Sequence, residues 1–287
     1  MKTLLLILAA SCFSVGPIQA APKAASEKPK TKITWHGQSA FQIVTPLGKV
    51  LLIDPWLKNP LNPAAKDGKN PVESIGKVDY ILITHGHFDH VGDSVEIAKL
   101  AHSRLIANFE LASQMATLLG YPKDQMGFDT LMNIGGEIST PDGEVTVAMT
   151  PAIHSSGLAY GEKGEVAYGG NPAGLIIKIK NGPTIYHTGD TAYFSDMKLI
   201  GEHYAPDVAL INIGGHFGME PDMAIQAAQA VRAKIVIPHH YKTFPILTQD
   251  PSAFAAGIKK HGQKNGMQAI VMNPGETITF EEKKLLK

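Results

Sequence analysis

The stretch Tyr80 to Asp93, YILITHGHFDHVGD, constrains this chain more than any other. An apolar, β-forming run ends in three histidines and an aspartate within six residues: His85, His87, Asp89 and His90. Imidazoles and carboxylates cost desolvation energy when buried unless they are partnered. A shuffled chain of this composition shows H-x-H-x-D-H roughly once in a thousand tries, so a shared chemical task explains the cluster better than accident does. In extended backbone, side chains two residues apart share a side, so His85 and His87 can grip one cation. Asp89 and His90 follow once the chain turns toward the next helix, and can face a second cation nearby.

Other ligand-type residues also fall where apolar runs stop. They are His154 in TPAIHSSG, Asp190 in YHTGDT, and the doublet His239-His240 in VIPHHY. Ends of strands in layered α/β structures are where distant segments converge. The spacing therefore predicts one three-imidazole site from His85, His87 and His154. A second comes from Asp89, His90 and one histidine of the doublet, with Asp190 able to bridge the two. Imidazole and carboxylate ligands suit zinc, with manganese or iron as alternatives.

The remaining pattern is strands, then helices, twice over, and it predicts an α+β fold of two mixed β-sheets with helices packed outside. A turn at Thr45 to Gly48 joins early strands. Hairpins are expected at Pro141-Asp142-Gly143 and at Asn181-Gly182. Asp93 and Glu96 read as a capping box at the start of a helix, and Gly120 ends another. Residues 55–76 and 155–172 read as long loops, the second rich in glycine and placed to overhang the metals.

The N-terminus bounds location. Lys2, the apolar run Leu4 to Val15, Pro17 and the small Ala20 describe a secretory signal over residues 1–20. Residues 21–31 read as a flexible linker, and 32–287 as one domain. A lipoprotein signal acylated at Cys12 is the less favoured alternative. The expected location is secreted or periplasmic, without an integral membrane span. Cys12 is the only cysteine, so the mature chain lacks disulfides, cysteine–zinc sites and a thiol nucleophile. Lys+Arg and Asp+Glu are equal at 26 each, which gives no electrostatic footprint for nucleic acid. The expected partner is a small-molecule substrate; a homo-oligomer is left open.

THGHFDHVGD, His154, HTGDT and PHHY together resemble the metallo-β-lactamase superfamily. WHGQSAF, IDPWL, GGNPAGLIIKI, GGHFGM and IPHHYKTFP narrow the resemblance to its metal-dependent hydrolase branch (UPF0173-like, related to the ascorbate-phosphate lactonases). It covers roughly residues 32–280 in order. It implies a four-layer αββα sandwich with a dinuclear site held by His85, His87, Asp89, His90, His154, Asp190 and His240. The family's usual Met-His-Tyr favours His240 over His239. The implied chemistry is attack by a hydroxide bridging two divalent metals on an ester, lactone, amide or phosphoester, with Asp89 orienting the nucleophile or moving a proton. A metal-binding protein without turnover, a β-lactamase-type hydrolase and an iron redox enzyme are the alternatives.

Several residues keep two readings. His216, in the glycine-rich GGHFG, is expected to reach the cleft and contact substrate or a metal-bound oxygen, the other reading being a loop histidine with an exposed ring. Asp54 either orients a ligand imidazole or caps the turn at Pro55. His36 and Gln38 line the cleft or are turn residues. Tyr241 packs or aids an oxyanion. His187 is expected to be buried behind the ligands, and His102, His203 and His261 to be solvated.

Overall fold

Alternating and fully apolar runs set the strands. Phe41 and Ile43 are buried between half-buried Gln42 and Val44, whereas Val50–Ile53 is buried on both faces. The computed structural model describes residues 28–66, 68–262 and 266–286. The expected signal segment, 1–20, lies outside them. The first strand, Lys30–Trp35, takes in the last two residues of the expected linker.

The first sheet has eight strands in the order Lys284–Leu285, Thr277–Glu281, Lys30–Trp35, Phe41–Val44, Val50–Ile53, Tyr80–Leu82, Arg104–Asn108 and Leu131–Met132. Pairing is antiparallel up to Val50–Ile53 and parallel beyond it. The second sheet has seven strands: Gln268–Ala269, Ile235–His239, Val208–Asn212, Thr184–His187, Ala173–Ile179, Val145–Pro151 and Glu137–Ser139. It too is part parallel and part antiparallel. Both sheets are therefore mixed, as the strand-then-helix order predicted.

Phe41, Ile43, Leu51, Ile53 and Leu82 pack toward Val147, Met149, Leu175 and Ile177 in one apolar cluster. Val50, Leu52, Ile81 and Leu105 point the other way, onto Ile97, Ala98, Leu111 and Met115 of the helices outside the first sheet. The helices Met197–Tyr204, Pro221–Val231 and Ser252–Gly262 cover the second sheet. The result is four layers, αββα, with the open ends of the parallel strands on one edge. Among the described residues no helix is long and apolar enough to cross a membrane.

Three local expectations change. The capping box at Asp93 does not form: Asp93 accepts from the Lys58 backbone N–H, and Glu96 turns to Lys58 and Asn70. Two better donors from the preceding loop outcompete the helix's own N–H groups. The loop 55–76 contains two one-turn helices, Pro63–Lys66 and Pro71–Ser74. The stretch 155–172 carries a hairpin, Gly157–Tyr160 against Glu165–Tyr168.

Candidate metal centre

Each candidate ligand leaves a strand where the backbone bends sharply. After Tyr80–Leu82 the chain runs through Thr84 to His87 and enters a one-turn helix, Phe88–Val91, which carries Asp89 and His90. Gly92 ends that turn at φ +44; a Cβ there would meet the Trp56 Cα at 2.5 Å, so only glycine lets the two segments touch. Gly189, at φ +59, does the same beside Asp190, where a Cβ would lie 2.7 Å from the Ala173 carbonyl oxygen. Gln38, Asp54 and His240 also hold positive φ, at 49, 44 and 59. Non-glycine residues there pay roughly 1–2 kcal/mol each, and all three line or support the site.

His85 Nε2 lies 3.0 Å from His87 Nδ1, which lies 3.3 Å from His154 Nε2. Around a tetrahedral cation with bonds of about 2.0–2.1 Å, ligand nitrogens stand about 3.3 Å apart, so this spacing fits a metal ion. Asp190 Oδ2 lies 3.0 Å from His240 Nε2, 3.4 Å from His90 Nε2 and 3.8 Å from His154 Nε2. Asp89 Oδ2 lies 3.3 Å from His240 Nε2 and 3.7 Å from His90 Nε2. Three triads result, each with ligand atoms within 4.8 Å: His85–His87–His154, His85–His90–Asp190 and Asp89–His90–His240. All seven sequence-predicted ligands are thus brought together. Buried His90 Nε2 and Asp190 Oδ1 make no hydrogen bond, which is the state expected of atoms that face a cation.

Groups behind the ligands fix which nitrogen faces inward. Asp54 Oδ2 accepts from His90 Nδ1 and from the Thr84 hydroxyl, both at 2.7 Å, while Oδ1 accepts from the Thr84 N–H at 2.8 Å. Thr84, having donated its proton, is left to accept from His85 Nδ1 at 3.0 Å. His87 Nε2 reaches Ser155 Oγ at 3.2 Å. Each bond leaves the opposite ring nitrogen free as a ligand. Of the two readings for Asp54, its carboxylate serves the imidazoles rather than the turn. Gln38 donates to Asp89 Oδ2 at 2.7 Å and sets that carboxylate's orientation.

The charges are strongly coupled. Burial pulls His90 down, yet Asp190, Asp89 and Asp54 outweigh it and hold its pKa well above the usual imidazole range. His240 is likewise raised against burial, to about 9, chiefly by Asp190. Burial opposes ionisation of Asp89, but His90 and His240 bring it to about 2. Burial holds His85 far below its ordinary value. A cation held by His90 and His240 would have to displace their protons.

Other expectations separate here. His216 has an exposed ring, against Phe217 at 4.4 Å, and it is Phe217 that lines the cleft. His36 contacts Gln42 and a separate pocket, leaving only Gln38 of that pair at the site. Tyr241 stacks on Trp35 at 5.3 Å, away from the ligands, so of its two readings it packs. His239 points between the sheets, bonded to Ser39 and lying against His187 and Phe41. His187 is buried, bonded to Ser39 O and the Gly189 N–H. Thr84 was missed; a threonine directly before a strand-end histidine was the available signal.

The triads open onto a cleft of about 590 Å³ lined by His87, Phe88, Asp89, His154, Ser155, Asp190, Phe217, His240, Phe244, Ile246 and Leu247. That size suits a small molecule.

A family model described as "Beta-lactamase superfamily domain" matches residues 49–241. A UPF0173 metal-dependent hydrolase of Thermodesulfovibrio yellowstonii is 46% identical over 252 residues, 88% of this chain and 92% of that one. One from Anaeromyxobacter dehalogenans is 48% identical over 263 residues, 91% of this chain and 90% of the other. Among solved structures, Igni18, a metallo hydrolase from the archaeon Ignicoccus hospitalis, superposes with a TM-score of 0.73 at 35% identity, covering 88% of this chain and 99% of its own.

Proposed function

The chain belongs to the UPF0173 metal-dependent hydrolases of the β-lactamase superfamily, and from that premise we propose that it is an exported hydrolase working with two divalent cations, zinc first, with manganese or iron as alternatives. The bond cleaved is an ester, lactone, amide or phosphoester. The observation that carries the reading is the set of three overlapping triads, oriented from behind and open to a cleft. Two cations held there would supply hydroxide near neutral pH and polarise the scissile group. His85, His87 and His154 would hold one; Asp89, His90 and His240 the other; Asp190 lies between. Asp89, 8% exposed and steered by Gln38, is the side chain placed to orient the attacking water and pass on its proton. A storage protein has no need of the adjoining cleft, which favours turnover.

Metal counting and turnover test this together. Chelator-treated protein is expected to lose hydrolysis of p-nitrophenyl esters and to regain it with about two equivalents of zinc per chain. His240→Ala should lose cation. His239→Ala should keep both, while lowering the melting temperature through the lost contacts with Ser39, Phe41 and His187. Full activity of metal-free protein would remove the mechanism. The export reading rests on residues 1–20; the protein recovered outside the cytoplasm is expected to start at Ala21, and a cytoplasmic chain retaining Met1 would contradict it.

A further inference from the structure

The wall of the cleft beside the ligands is apolar, and three of its side chains are open to solvent. Phe88 is 61% exposed, Phe217 57% and Ile246 55%. They come from three segments, each attached to the site: Phe88 between His87 and Asp89, Phe217 in the glycine-rich loop after Val208–Asn212, and Phe244 and Ile246 just past His240. Exposed large apolar side chains gathered in one concavity mark a ligand surface.

This wall is held in shape. Trp56 stacks on Phe244 at 5.8 Å and 19°, and meets Phe88 edge-on at 5.6 Å and 74°. The Trp56 backbone is itself pressed against Gly92. The turn carrying Phe244 is closed by the Leu247 N–H on Phe244 O at 3.0 Å, and by Gln249 Nε2 on Phe244 O and Leu247 O. An aromatic platform that is already packed loses little entropy on binding.

Charge points the same way. Among the described residues lining the cleft there is no lysine or arginine, and its only ionisable groups are candidate ligands. A phosphate or carboxylate placed away from the cations would find no partner of the kind that recognises such groups.

We infer that the substrate is a neutral ester or lactone whose carbonyl faces the histidines and whose apolar arm lies on Phe88, Phe217, Phe244 and Ile246. Water adds across the acyl C–O bond, giving a carboxylic acid and an alcohol. The inference rests on the hydrolase reading and adds the substrate class to it.

The test has two arms. With zinc-loaded full-length protein, kcat/KM for p-nitrophenyl acetate, butyrate, hexanoate and octanoate is expected to rise about twofold per methylene, half the gain of a fully buried one. Phe244→Ala and Phe217→Ala, each checked for folding by thermal melt, are expected to flatten that rise and increase KM for the hexanoate about tenfold, with the smaller change in kcat. In the second arm, metal-free protein is titrated with 4-phenylbutan-2-one, a neutral ketone, against phenyl phosphate. The ketone is expected to change the Trp56 emission, identified by its loss in Trp56→Phe; phenyl phosphate is not. Binding of the ketone without turnover of any ester, lactone, amide or phosphoester would overturn the hydrolase reading and leave the apolar wall only a ligand surface. Ester turnover with no chain-length dependence and indifferent phenylalanine variants would overturn the inference and leave the hydrolase reading standing. Preference for bis(p-nitrophenyl) phosphate over the esters would do the same.

Discussion

Asp190→Ala is expected to lower kcat/KM by roughly three orders of magnitude and to reduce bound cation from two per chain to one or fewer. Of the two candidate ligand carboxylates, it is the one that faces both halves of the centre. Its Oδ2 lies 3.0 Å from His240 Nε2 and 3.4 Å from His90 Nε2, and reaches His154 Nε2 of the other triad at 3.8 Å. Removing one member of a buried charge group costs about 3–5 kcal/mol, because what it neutralised stays behind. Here two cations would be left 3–4 Å-scale neighbours (about the separation typical of two-metal sites) without the anion between them. The metal-free variant should remain folded, since His90 and His240 can shed protons once the carboxylate that raises their pKa is gone. Metal analysis and steady-state rates on the same preparation check this. Retention of two cations with activity within tenfold of the parent would take Asp190 out of the site.

The sequence was most informative where chemistry restricts residue type. A cation accepts few side chains, and HGHFDH, His154, HTGDT and PHHY place them at the ends of apolar runs, so the residues that cluster were legible as candidate ligands before any coordinates. The layer order was legible for a similar reason: period-2 burial and β-branched runs report sheets directly. What the sequence concealed were relations across distance or without period. Asp54 serves His90 from 36 residues away, and a turn before Pro55 was an equally good local account of it. Glu96 had the spacing of a cap, but Lys58 and Asn70 claimed its carboxylate. In GGHFG the loop itself reached the cleft, and Phe217 rather than His216 faces inward. The phenylalanines of the cleft wall stood inside motifs quoted for their histidines, where apolar residues carry no ligand signal.

Asp54→Asn isolates the support behind the ligands from the ligands themselves. Asparagine tolerates positive φ as well as any residue but glycine, so the bend at φ 44 survives. Its carbonyl can still accept from the Thr84 N–H, as Asp54 Oδ1 does at 2.8 Å. The amide then faces the two groups that now donate to Oδ2, His90 Nδ1 and the Thr84 hydroxyl. Donor would oppose donor. His90 relieves the conflict by moving its proton to Nε2, the nitrogen that must be bare to bind a cation. Thr84 loses the acceptor that leaves its oxygen free for His85 Nδ1, so an imidazole of each triad is disturbed by one substitution. Loss of such outer partners typically costs 10–100-fold in metal affinity, and the shared position argues for about 100-fold here. Competition against a chelator of known affinity measures it. Saturating zinc should restore much of kcat, because no ligand or cleft residue has been removed, and the metal-free melting temperature should move little. Unchanged zinc affinity would mean that Asp54 fills space beside His90 without setting its proton.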